Sequence, residues 1–367
     1  MREEKTMRSL KPKRGVNVVV EASFNKAPVT TTPNKRAESD RLTLKENFYA
    51  VMNGEKPDYV FDFPKCLRYL PDPDFVASRI PMDGEEHQDT WGTTKVWIPG
   101  SPGAHPVTSP QEKCVITDIE KWREQVKIPD IDAYDWTACK EAAEKIDRKG
   151  YFVTLFCPAG LFERSHFLMG MEEAFCNYME EPELMTELLT MYADWKIKYI
   201  ETAAREVHPD AVFWHDDWGS KQNLFLPPEL WREIIKPLHT RIVKAVHDNG
   251  MLFFHHADCI CEPIAKDMVE MGIDLWQGVI PQNDIVAIQE ATEGKLAMNG
   301  GLDGPALNEV HNEAEIRQKV RDCIDTFCPR GKFFPGIPSP SGLRDEMVAI
   351  VEDELDKYGR EWAAKNM

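Results

Sequence analysis

No G-x-G-x-x-G follows a strand-like run and opens a helix in this chain, and no G-x-x-x-x-G-K-[ST] is present, so the usual nucleotide-binding folds are set aside. No window holds the roughly 18 uninterrupted apolar residues a membrane span needs. The opening residues MREEKTMRSLKPKRG lead into no apolar signal core, so secretion is not indicated and a cytoplasmic location is expected. Positive charge is in deficit: 44 Lys and Arg against 62 Asp and Glu leave a formal net charge of −18. A phosphate backbone needs a basic surface, so nucleic acid is disfavoured and a small substrate or a partner protein is easier to accommodate. The nine cysteines are an odd count spread along 367 residues, a pattern of reduced thiols and not of a disulfide framework.

What is present is a succession of short apolar runs alternating with amphipathic stretches. PDYVFDF, YFVTLFC, AVFWHDD, MLFFHHAD, IDLWQGV, KLAMNGGLD and KFFPGIP read as strands, several of them uncharged until their C-terminal ends, as strands buried on both faces are. A further strand is expected in TTKVWIP. Between them, LTLKENFYAVMNG has helical spacing and stops at Gly54. PPELWREIIKPLHTRIVKAVHDNG makes one long helix with prolines at its first turn and at a kink, and with Gly250 beyond its end. Alternation with short connections implies parallel βαβ units, and a count of about eight strands favours a (β/α)8 TIM barrel over an open sheet. Residues 1–40 read as a flexible N-terminal arm and 41–367 as a single barrel. The stretch 65–150, rich in Pro, Asp and Trp, is expected to be an insertion covering the barrel mouth.

In such barrels the reacting groups gather at the C-terminal strand ends. The segment HHADCIC is the densest candidate. Strand alternation puts Phe254, His256 and Asp258 on one face, so His256 and Asp258 are able to converge on one atom or one metal ion, and Cys259 with Cys261 offers two thiolates beside them. A buried His–Asp pair that merely satisfies itself is the plain alternative. In WHDDWG, a carboxylate near the mouth is suited to protonate a leaving oxygen, and Asp217 is the favoured one. Asp216 is left open between that role and capping a turn. Trp214 and Trp218 are expected to wall a flat substrate, with His215, His255 and Gln277 as further substrate contacts. Gln277 stands alone in an apolar run and needs a hydrogen-bond partner.

The stretch HDDWGSKQNLFLPPELWREIIKPLHTRIVKAVHDNGMLFFHHAD resembles the uroporphyrinogen-decarboxylase-like superfamily. In that superfamily an acidic strand end precedes a helix of the pattern SPE-W-R-x-x-x-KP and a strand ending in His-x-Cys or His-x-Asp. GIDLWQGVIPQNDI and LAMNGGLDG continue the likeness, which covers roughly residues 40 to 360. True decarboxylases of this kind carry an arginine-rich segment like Trp-x-Met-Arg-Gln-Ala-Gly-Arg, which holds the carboxylates of the tetrapyrrole. Here the corresponding region reads GEKPDYVFDFPKCLRYLPDPDF, poor in basic residues. The resemblance therefore points to the other large branch, the corrinoid-linked methyltransferases. Within it the thiol-methylating enzymes hold zinc through His-x-Cys and a later cysteine, whereas this chain has His256 with Asp258 and no cysteine in FFPGIPSP.

The O-demethylating members fit better. They imply that a small methoxylated aromatic compound gives its methyl group to the Co(I) of a corrinoid protein. His256, Asp258 and Asp217 would then stabilise the departing oxygen, with zinc at His256, Asp258, Cys259 and Cys261 as the Lewis-acid alternative. No Asp-x-His-x-x-Gly signature occurs, so the corrinoid would arrive on a partner. An anaerobic source and a homodimer complete what the resemblance implies.

Overall fold

The computed structural model describes residues 40–101, 103–339 and 342–367, so the expected N-terminal arm lies, but for Asp40, outside the described residues. Helix α1 (Leu44–Asn53) forms where the spacing predicts it. Thr43 and Glu46 make a reciprocal capping box at its start, and Gly54 ends it in the left-handed conformation. Its Phe48 plugs the bottom of a curled sheet of seven parallel strands, meeting Phe152, Phe254 and Phe334 at ring-centroid distances of 5.0, 5.9 and 5.2 Å.

The strands follow one another in chain order: β1 (Leu67–Tyr69), β2 (Phe152–Cys157), β3 (Ala211–His215), β4 (Leu252–His256), β5 (Leu275–Val279), β6 (Ala297–Gly301) and β7 (Phe333–Gly336). Every neighbouring pair is parallel, which is the ladder that βαβ connections produce. The connections include α2 (Leu161–Met169), α3 (Pro182–Val207) and α4 (Pro228–Asp248), and the chain closes with α5 (Asp345–Asn366). Proline occupies the first turn of α4, and Pro237 lies inside it.

Two strands differ from expectation. PDYVFDF forms no ladder: residues 58–62 run without regular structure into a 3-10 turn at Phe63–Cys66, and the first strand starts only at Leu67. This stretch nevertheless packs beside β7, where Phe61 meets Phe334 edge-on at 5.6 Å. TTKVWIP does hold a strand, Thr94–Val96, but it pairs antiparallel with Glu86–Gln88 and His105–Pro106 in a separate small sheet. That sheet belongs to the long stretch between β1 and β2. Recorded contacts anchor the stretch along a flank of the barrel: Trp91 packs on Tyr192 and Trp195 of α3, and Trp195 Nε1 donates to the Pro129 carbonyl at 2.7 Å. Phe75, edge-on to Phe156 at 5.3 Å, brings it to the inner face of β2.

Strand alternation sorts the side chains into two compartments. Inside the sheet lie Phe63, Leu67, Phe152, Phe213, Phe254, Leu275, Ala297 and Phe334, which fill its lower part. Outward-facing Val153, Val212, Trp214, Phe253, Trp276 and Met298 join the larger core beneath the helices. Among the described residues no helix is long and apolar enough to cross a membrane.

Candidate active site

His215 ends β3, and His256 ends the neighbouring β4 as its register partner. Both point inward, one layer above Phe213 and Phe254, and their rings stack at 4.4 Å with an interplanar angle of 21°. Asp217 follows two residues after His215, half-buried, and accepts the Asp258 backbone N–H at 3.0 Å. One ligand atom from each of His215, Asp217 and His256 lies within 4.8 Å of the other two, the only such group of metal-ligating side chains among the described residues.

Each imidazole is held from behind. His215 Nδ1 pairs with Glu163 Oε2 at 2.9 Å, and His256 Nδ1 with Gln277 Oε1. Gln277 Nε2 donates to the Pro338 carbonyl at 3.0 Å, which fixes the amide so that its oxygen faces His256. An acceptor at Nδ1 keeps the proton there and assigns Nε2 to the pocket. Burial opposes the charge on His215, but the buried Glu163 beside it overrides this and raises its pKa to about 9. Glu163 itself is drawn below its ordinary value, burial being outweighed by His215. Burial, then the charge on His215, lowers the pKa of His256. The two neighbouring rings thus differ in state: His215 is an imidazolium at neutral pH, and His256 a neutral base.

Asp216, fully buried, has a different task. Its carboxylate accepts the backbone N–H groups of Phe162 and Glu163 at 3.3 and 2.9 Å and the Trp218 indole N–H at 2.9 Å. It therefore caps α2 from across the pocket edge and sets the position of Glu163. Gly160 permits this approach, since a Cβ there would lie 2.2 Å from the Asp216 Cβ. Burial raises the Asp216 pKa to about 7 in spite of its donors.

Several residues expected in the site stand elsewhere. Trp214 and His255 occupy the outward positions of β3 and β4, and Trp218 folds over them. Trp218 and His255 stack at 4.0 Å, with Trp231 and His239 completing an aromatic layer under α4. These three residues are 0–1% exposed and face away from the sheet interior, so they do not wall a substrate there. Burial drives His255 well below its usual pKa.

The expected metal set of His256, Asp258, Cys259 and Cys261 does not assemble either. Asp258 turns to Lys221 Nζ at 2.7 Å, and the two buried cysteines contact each other at 3.5 Å. Of that set only His256 belongs to the cluster, and its companions are His215 and Asp217. Gln277 lies where the sequence placed it, though its amide holds His256 and the chain at Pro338.

Glu163 was not legible in the sequence. It reaches His215 across 52 residues of chain, and its one local signal is a carboxylate in the first turn after Gly160 at a strand end.

No curated protein matches the chain. Among solved structures, a dihydropteroate synthase from Anaplasma phagocytophilum is 15% identical over 45% of this chain and 69% of its own, with a TM-score of 0.33. A putative vitamin-B12 independent methionine synthase from Listeria monocytogenes is 15% identical over 64% and 71%, with a TM-score of 0.40. The intracellular xylanase TsXylA from Thermoanaerobacterium saccharolyticum is 11% identical over 56% and 71%, with a TM-score of 0.31. Likenesses this distant bear on neither substrate nor mechanism. The sequence match is of another kind: residues 101–334, well over half of the chain and including β2 to β6 with every residue of the histidine cluster, match uroporphyrinogen decarboxylase (URO-D), and the chain belongs to that family.

Proposed function

We propose that this chain is a methyltransferase that demethylates a small methoxylated aromatic compound and passes the methyl group to the Co(I) corrinoid of a partner protein. The observation that carries this reading is the inward-facing cluster of His215, Asp217 and His256, each histidine backed by its own acceptor. Cleaving an aryl methyl ether leaves a negative oxygen, and catalysis requires groups placed where that charge develops. His215, kept protonated by Glu163, supplies the proton. Asp217 and the neutral His256 present acceptors to the pocket, so they leave the oxygen to His215, and the charge of Asp217 favours the imidazolium. Tyr69, Phe156 and Phe213, mutually edge-on or tilted at 5.5–5.9 Å, line the inner face next to them and suit an aromatic ring.

With the Nε2 proton of His215 given up, the same three side chains fit a divalent metal such as zinc. Two imidazoles whose Nδ1 atoms are engaged by a carboxylate and an amide, together with one carboxylate, form a donor set with its outer hydrogen bonds in place. Bound there, the ion would polarise the ether oxygen as a Lewis acid.

Decarboxylation of a tetrapyrrole, the activity for which the family is named, asks for cationic groups at the mouth. The two buried arginines among the described residues are committed elsewhere: Arg68 to the Lys65 and Leu67 carbonyls, and Arg164 to Asp89 at 3.3 Å. The test is incubation of the purified protein, with and without added zinc, with methoxybenzene or 4-methoxyphenol and cob(I)alamin. Equimolar demethylated phenol and methylated cobalamin are expected. Release of carbon dioxide from a porphyrinogen, with no methyl transfer, would replace this reading by the decarboxylase one.

A further inference from the structure

The histidines begin a longer polar row. His215, His256, Gln277 and Asn299 are register partners pair by pair across β3, β4, β5 and β6, all on the inner face. The catalytic reading uses the first three and leaves Asn299 without a part. Its Nδ2 donates to Asp62 Oδ1 at 3.0 Å and to the Phe334 carbonyl at 2.9 Å, while its Oδ1 is buried with no partner. An orphaned buried acceptor costs about 1–3 kcal/mol. Asp62 reaches this row from the ladder-free stretch beside β7. The chain is built to admit it: at Gly336 a Cβ would lie 2.1 Å from Asp62 Oδ1 and 3.1 Å from Asn299 Nδ2.

Asp62 forms no ion pair among the described residues, and no protein donor is recorded for its Oδ2. It retains accessible surface although burial raises its pKa to about 6. Asp62 Oδ2 is an acceptor when Asp62 is ionised, so a ligand group that meets it must be a donor, while the fully buried Asn299 holds the carboxylate from behind. Two inter-strand spacings separate Asn299 from His256, about 10 Å at ~4.8 Å each. A single aromatic ring with a substituent at each end spans such a distance.

We propose that Asp62, supported by Asn299, is the recognition end of the substrate pocket and binds a neutral hydroxyl group carried by the ring on the side opposite its methoxy group. This rests on the methyl-transfer reading above and narrows its substrate class to methoxylated phenols. Asp62 acts by binding and takes no part in bond cleavage.

The test measures binding of 4-methoxyphenol, methoxybenzene and 4-methoxybenzylamine by calorimetry, and methyl transfer to cob(I)alamin, for the wild type, Asp62→Asn and Asp62→Ala. The wild type is expected to bind 4-methoxyphenol at least tenfold more tightly than methoxybenzene. In the variants that ratio falls toward one, the change in turnover lying in KM and not in kcat. Equal binding of both compounds by the wild type, an unchanged ratio in Asp62→Asn, or tightest binding of the cationic amine would overturn the proposal. Asp62→Asn keeps the side-chain shape and decides the matter should the alanine variant misfold. If the binding preference holds but no methyl transfer occurs, the reaction reading fails and the hydroxyl site stands. If transfer occurs and Asp62→Asn leaves the preference intact, the reverse is true.

Discussion

At the residue scale the site turns on which groups stand behind the reacting ones. His215 and His256 are a stacked pair only 4.4 Å apart, yet Glu163 makes one a cation, while burial and the charge of that cation keep the other a neutral base. Glu163→Gln removes the negative charge while keeping a hydrogen-bond acceptor, so its effect isolates electrostatics from placement. If the cluster holds zinc, losses of about 10–100-fold in metal affinity are expected for Glu163→Gln and Gln277→Ala, the usual cost of removing an outer partner of a ligating histidine. Zinc titration against a competing chelator would measure this, and unchanged affinity in both variants would remove the metal from the site. His256 was legible from alternation within MLFFHHAD. Glu163 was not, because its partner comes from another strand end and nothing local marks the pairing.

At the scale of elements, strand period and strand register explain both what the sequence disclosed and what it hid. Once β3 and β4 are fixed, a period of two sends His215 and His256 inward and Trp214 and His255 outward. The expectation of an aromatic wall failed because Trp214 and Trp218 were placed by their nearness in sequence to the carboxylates and not by the face they occupy. The helices were the most readable elements, since α1 and α4 carry their own stops and prolines. PDYVFDF was the least readable. Its apolar pattern is strand-like, but its backbone forms no ladder, and it is this stretch that carries Asp62 into the pocket. Phe48 joins α1 to the bottom of the sheet through four phenylalanine rings. Phe48→Ala is expected to cost about 3–5 kcal/mol, the usual range for emptying a buried aromatic site. Urea unfolding would show it, and a loss under 1 kcal/mol would mean that α1 is not part of the cooperative core.

At the scale of the whole molecule, several buried acids set how stability responds to pH. Burial raises Asp72 to about 7, although Tyr199 and the Phe75 N–H donate to it, and its Oδ2 has no partner. A carboxyl with a raised folded-state pKa contributes fully below its unfolded value, near 4, and that contribution is lost as pH rises through 7. Asp72→Asn is therefore expected to raise Tm relative to the wild type at pH 8 and to bring little gain at pH 4, as thermal melts at the two pH values would reveal. The net charge of −18 bears on solubility and on the choice of partner protein, not on which ring enters the pocket. The most direct trial of the site is a comparison of two adjacent histidines in methyl transfer from 4-methoxyphenol to cob(I)alamin. His256→Ala is expected to lose most of the rate, because it removes one of the three inward-facing side chains of the cluster, while His255→Phe keeps most of it. Equal losses in both variants, or none in His256→Ala, would contradict the assignment of the inward face as the place of reaction.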